Sequence, residues 1–75
     1  MNGFPSKAIV DMIRLEYPKG CRVALVEMGP DPYSKLAPGD TGTVCHVDDT
    51  GTVHINWDNG ESLGMVYAVD KIRRI

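Results

Sequence analysis

The stretch from Gly42 to Gly60 constrains this chain more than any other part of it. Thr43-Val44-Cys45-His46-Val47 and Thr52-Val53-His54-Ile55-Asn56-Trp57 are short, β-branched and partly alternating. Each runs into a turn signal, Asp48-Asp49-Thr50-Gly51 after the first and Asp58-Asn59-Gly60 after the second. Alternation has the period of a strand, whose side chains point in turn to opposite faces. Gly51 is free to take positive φ, and Asn59-Gly60 suits a type I′ hairpin. The whole run therefore reads as the middle of an antiparallel meander.

At 75 residues the chain makes one domain, residues 1–75, with a small core. Its 43% apolar and 24% charged content is that of an ordinary folded protein. A barrel this small has little room for a buried active site, so recognition on loops and strand faces is expected rather than chemistry. The formal net charge of −2 gives no global attraction to nucleic acid, although local basic patches act locally. The N-terminus has no positive region followed by an apolar run, and the longest apolar runs fall short of a membrane span. A cytoplasmic location follows as the expectation.

Residues 5–17 predict a helix. Ser6 can cap it by accepting an orphan backbone N–H, and Pro18 and Gly20 end it. Ile9, Met12, Ile13 and Tyr17 recur at spacings of three and four, with Val10 and Leu15 widening the stripe. Lys7, Asp11 and Arg14 fall largely opposite. A helix this short needs a packing partner, either its own barrel or a second copy of the chain. Strands are predicted over residues 21–28, 41–47, 52–57, 61–66 and 72–75, with a proline-bounded loop over 29–39 and a 3₁₀ turn over 68–71. Val23 and Leu25 share one face of the first strand, and Val53, Ile55 and Trp57 share one face of the third. The order is strand, long loop, strand, tight turn, strand, tight turn, strand, helical turn, strand. It predicts a mainly β fold, an SH3-like five-stranded small barrel over residues 20–75 preceded by one N-terminal α-helix.

A longer pattern runs through the same residues. Tyr17-Pro18, Gly20 and Arg22-Val23 are followed by Asp31-Pro32-Tyr33, then Pro38-Gly39 and Gly42-Thr43-Val44. Val47-Asp48-Asp49, Gly51, Val53-His54-Ile55, Trp57-Asp58-Asn59-Gly60 and Ser62-Leu63 continue it, and Val69-Asp70 and Ile72-Arg73 close it. The pattern resembles a family of small uncharacterised bacterial proteins, a domain of unknown function common in Firmicutes genomes and on their phages and conjugative elements. The resemblance covers residues 17–75 and implies a setting on a mobile element or in its host; it carries over no activity. Gly42-Thr43-Val44 with Trp57-Asp58-Asn59-Gly60 is also similar to Tudor, KOW and related small barrels, which bind peptides, RNA or DNA.

Cys21, Cys45, His46 and His54 are the soft ligands, and none has the spacing of a zinc site. Cys45 and His46 are neighbours on a predicted strand and should face opposite ways, while His46 and His54 can be cross-strand neighbours. The two cysteines read as reduced, packed thiols. Most carboxylates fall in turns, where Asp serves local backbone hydrogen bonds. No Ser/His/Asp or Cys/His order and no phosphate loop stands out, so no enzyme, metal or cofactor is expected.

Aromatic residues point instead to a binding module for a protein partner. Tyr33, Leu36, Trp57, Met65 and Tyr67 are the candidate peptide groove, formed where the long loop approaches the segment before the 3₁₀ turn. Against this stands a covering role for Tyr33 and Trp57, since a small core needs its aromatics. A rival reading is nucleic-acid binding through Lys19, Arg22, Lys71, Arg73 and Arg74, on the edge where strands one and five pair. In that reading the acidic turns, Asp48-Asp49 and Asp58, lie elsewhere. A third is a structural homodimer joined through Ile9, Met12 and Ile13 of the helix.

Overall fold

A computed structural model describes residues 4–75, so the first three residues of the predicted domain lie outside the described part. Helix α1 spans Lys7–Glu16, and the strands are β1 (Arg22–Glu27), β2 (Thr41–Val47), β3 (Val53–Trp57), β4 (Ser62–Met65) and β5 (Lys71–Arg74). All pairs are antiparallel in one five-stranded sheet of order β4-β3-β2-β1-β5. β1 thus pairs with both its chain neighbour and the last strand, the connectivity of an SH3-like barrel with a helix in front.

Both tight hairpins use one construction. The Asp48 N–H donates to the Thr52 carbonyl, and the Gly51 N–H donates back to Asp48, each at 3.0 Å. The Trp57 N–H donates to Glu61 at 2.8 Å and the Gly60 N–H to Trp57 at 3.0 Å. Each loop therefore has three residues and closes on a glycine at positive φ, +82° at Gly51 and +96° at Gly60. This corrects the type I′ expectation, which needs positive φ at Asn59 as well. The last connection is a turn closed by Val69 and Asp70 N–H groups on the Val66 carbonyl, with Ala68 at φ +66°.

The core holds Val10, Val23, Leu25, Val44, Val47, Val53, Ile55, Trp57 and Met65. Ala24 is buried beside Val23 and Leu25, so the strict alternation read for β1 does not hold there. Alternation also breaks in β2. A bulge between Val44 and His46 sets two residues, Cys45 and His46, against the single His54. Val44 and Val47 are both buried, so Cys45 and His46 lie between two inward positions rather than on opposite faces. Cys45 is half-buried and Cys21 precedes β1, so the cysteines are free thiols but not deeply packed.

The helix packs on its own barrel. The Ser6 hydroxyl accepts the Ile9 N–H at 3.3 Å as the N-cap, and the Tyr17 N–H ends the helix on the Ile13 carbonyl at 2.9 Å. Val10 is only 2% exposed, with Ile13 and Tyr17 packed beside it. Burying one valine side chain contributes about 2 kcal/mol. Met12 and Leu15, at 67% and 82% exposed, point away. The inward stripe is therefore Val10, Ile13 and Tyr17, rotated from the predicted one, with Ile13 and Tyr17 only partly buried. Arg14 fastens one flank, donating to the Val47 carbonyl at 3.2 Å and the Asp49 carboxylate at 2.8 Å. The C-terminal end reaches β5, where the Tyr17 hydroxyl donates to the Ile72 carbonyl at 3.3 Å and Arg74 donates to the Glu16 carbonyl at 3.1 Å. Ile75 N–H bonds Arg22, so alternation along the pair leaves the Ile72 carbonyl on the outer edge of β5. The C-terminal end of α1 meets that edge through the Tyr17 hydroxyl, which takes up one carbonyl that would otherwise be free to another strand.

A candidate docking groove beside the helix

Two carboxylates position the long loop. Asp70 accepts the Gly29 and Val66 N–H groups, both at 2.7 Å, and ties the loop's start to the turn after β4. Glu61 accepts the Ser34 hydroxyl at 2.9 Å, the Lys35 N–H at 3.0 Å and the Asn59 amide at 2.6 Å. Partial desolvation pushes the Glu61 carboxyl up, but these hydrogen bonds outweigh it and hold the group below its usual range. The loop is thus fixed at both ends of β4.

The predicted peptide residues divide between different places. Trp57 is 3% exposed, and its indole N–H donates to the Leu63 carbonyl at 3.0 Å. It fills the core, where Gly42 makes room; a Cβ there would meet Trp57 Cε3 at 3.0 Å and Ile55 Cγ2 at 2.6 Å. Met65 is also in the core, and Leu36 packs against its margin. Tyr33 is 93% exposed beside an open cavity with Lys35, Asp40, Asn59, Gly60 and Glu61. Tyr67 lines a separate cavity, so the two tyrosines do not share one groove.

That separate cavity, of about 460 Å³, is lined mainly by apolar side chains. α1 supplies Ile13 and Glu16, and its C-cap Tyr17; β3, β4 and β5 supply Val53, Met65 and Ile72; and the β4–β5 turn supplies Val66, Tyr67 and Ala68. Gly51 floors the junction with the helix, since a Cβ there would sit 2.8 Å from Pro5 Cγ and 3.4 Å from Ile13 Cδ1. Val66 and Tyr67 rise around the rim, at 46% and 42% exposed. Burial first, and the neighbouring Glu16 second, raise the Tyr17 hydroxyl above its ordinary pKa, so it remains a proton donor. Ile13, Tyr17, Val66 and Ile72 were absent from the sequence-derived site. The spacing of Ile13 and Tyr17 on one helical face was the available signal, but it said nothing about which strand they would meet.

The basic set is partly neutralised. Asp58 folds back onto Arg22 with paired contacts of 2.8 and 2.6 Å, and Thr41 donates to the same carboxylate at 2.6 Å. The Arg22 hydrogen bonds first, and the Thr41 hydroxyl second, hold the Asp58 carboxyl well below the usual range against a small desolvation effect. The acidic turn therefore lies on the basic residue rather than elsewhere. Lys71 sits across from Glu27 in the β1–β5 register. Lys19, Lys71 and Arg73 make no ion pair among the described residues, and Arg74 is engaged with the end of the helix.

His46 and His54 are cross-strand partners with rings stacked 4.4 Å apart at 9°. Asp48 fixes His54 through Nε2 at 2.8 Å and also accepts the Thr50 hydroxyl and the Thr50 and Thr52 N–H groups. Desolvation opposes ionisation of Asp48, but the His54 contact and these hydrogen bonds hold it well below the usual carboxylate range. Among the described residues, no three His, Cys, Asp or Glu side chains are grouped to hold a metal ion. No described helix is long and apolar enough to cross a membrane.

No curated protein matches the chain, and no solved structure matches it. Residues 6–75, from the helix N-cap to the last residue of the barrel, match one family throughout. The chain belongs to that family, described as a domain of unknown function (DUF4314).

Proposed function

We propose that this chain is a non-enzymatic binding module that docks a protein through the groove between α1 and the β4–β5 connection. The observation that carries the reading is the groove itself, walled by Ile13, Tyr17, Met65 and Ile72 and rimmed by exposed Val66 and Tyr67. A concave apolar surface with an apolar rim is the kind of surface on which a ligand or a partner docks. Tyr67 and Met65 remain from the peptide site read in the sequence; Tyr33 and Trp57 do not belong to it. The groove is lined mainly by apolar side chains, with Glu16, Asp70 and Lys71 the charged residues among them, so binding that rests on the apolar walls should depend little on salt. A small accessory protein acting in the cytoplasm, on a mobile element or in its host, fits such a module.

The test is an amide-shift titration of the labelled protein with peptides selected against it from a random display library. Shifts should gather at Ile13, Met65, Val66, Tyr67 and Ile72, persist at raised salt, and disappear in Tyr67→Ala with the fold intact. If no selected peptide moves those residues, while DNA or RNA oligonucleotides give salt-sensitive shifts at Lys19, Arg73 and Arg74, the chain is a nucleic-acid binder and this reading fails.

A further inference from the structure

Helix α1 carries two apolar stripes. The inner one, Val10, Ile13 and Tyr17, is committed to the barrel. The outer one is Ala8, Met12 and Leu15, at spacings of four and three, and all three residues are exposed. At 100° per residue this stripe lies nearly opposite the first. Three of the helix's four charges are gathered on one flank between the stripes, where Lys7 pairs with Asp11 at 3.0 Å and Arg14 approaches Asp11 at 3.7 Å, and the fourth, Glu16, lies on the other flank. A helix that met only water on its outer face would carry its charges there. The groove opens along the other flank, next to Met12, because Glu16 and Ile13 form its helical wall. One face of the molecule therefore holds a raised apolar stripe beside an apolar recess.

We infer that the occupant of the groove is a second copy of this chain. The two copies are related by a two-fold axis, so that Met12 and Leu15 of each helix enter the recess of the other. The inference rests on the docking reading above and names its partner. A two-fold contact requires one patch to contain both the projecting and the receiving shape, and this patch does. Ala8, the smallest residue of the stripe, lets antiparallel helices approach closely where they cross. The groove carries little net charge to oppose self-association. Lys71 offsets one of its two carboxylates, Glu16 and Asp70, and the Asp70 oxygens are taken up by the Gly29 and Val66 N–H groups.

Light scattering and sedimentation on the intact chain, from micromolar to millimolar concentration, test this. The expected mass at high concentration is twice the 8.2 kDa of one chain. Met12→Glu with Leu15→Glu should return the mass to one chain while the amide spectrum stays dispersed, because neither side chain touches the core. Tyr67→Ala should do the same from the receiving side. A chain that stays monomeric throughout overturns the dimer, and if selected peptides still fill the groove, the docking reading survives with another occupant. A dimer broken by Tyr67→Ala but indifferent to Met12→Glu with Leu15→Glu overturns the helix as the occupant.

Discussion

Two glycines close two hairpins in the same way, yet their surroundings separate them. At Gly60 a Cβ would meet open space; at Gly51 it would press on Pro5 and Ile13. Gly60→Ala should therefore cost only the strain of a left-handed backbone, about 1 kcal/mol. Gly51→Ala should cost about 2–3 kcal/mol, because the added methyl also pushes the helix off its seat. Urea unfolding of the two variants checks the difference, and equal costs would mean that the turn does not seat the helix. The carboxylates of Asp48 and Asp58 allow a second test. Both are bound less tightly to protons in the fold than in the unfolded chain. Such groups contribute fully above the unfolded carboxylate pKa, about 4, and that contribution is lost as pH falls below it. Thermal midpoints should hold steady down to about pH 4 and then fall. Asp58→Asn should remove part of the fall, and added salt should shrink the share that Asp58 and Arg22 provide, since that pair is exposed. The sequence showed Gly51, Gly60 and the acidic turns plainly, because turn chemistry is local. It did not show that Asp58 would meet Arg22, which lies 36 residues away and becomes a neighbour only when β1, β2 and β3 pair.

Strand positions were legible to within a residue or so, because period-two patterning and turn residues both act over a few positions. The bulge at Cys45 was not, since it depends on how β2 registers against His54 of a different strand. The groove suffered from the same limit. Tyr33 and Tyr67 were placed together from the general layout of small barrels, but the real course of the long loop is set by Glu61 and Asp70, each of which captures backbone N–H groups of the loop or the turn. Glu61→Ala should free Ser34 and Lys35, and Asp70→Ala should free Gly29 and Val66. Hydrogen exchange should quicken at Lys35 in the first variant and at Gly29 and Val66 in the second, with little change in β2 and β3. Exchange that quickens across the whole sheet in either variant would make these carboxylates part of the global fold rather than local ties.

The helix joins the barrel in two respects, filling the core with Val10 and meeting β5 through hydrogen bonds at Tyr17 and Glu16. Amphipathic spacing revealed that a helix would form and that it needed a partner. It could not choose between the stripe through Val10 and the stripe through Met12, because both are apolar and only the barrel's shape decides which one fits. That choice has measurable consequences for the molecule as a whole. Val10→Ala should cost about 2 kcal/mol, the loss of buried methyl groups plus part of the cavity left behind. Leu15→Ala in dilute solution should change stability by no more than about 0.5 kcal/mol, as for other exposed positions without partners. The comparison is made by urea unfolding at concentrations where the chain is a monomer, so that self-association adds nothing to either number. If Leu15→Ala costs as much as Val10→Ala, the outer stripe is packed within the single chain and is not available to a partner. If Val10→Ala costs nothing, the barrel stands without its helix, and the groove that the helix walls is not a fixed feature of the fold.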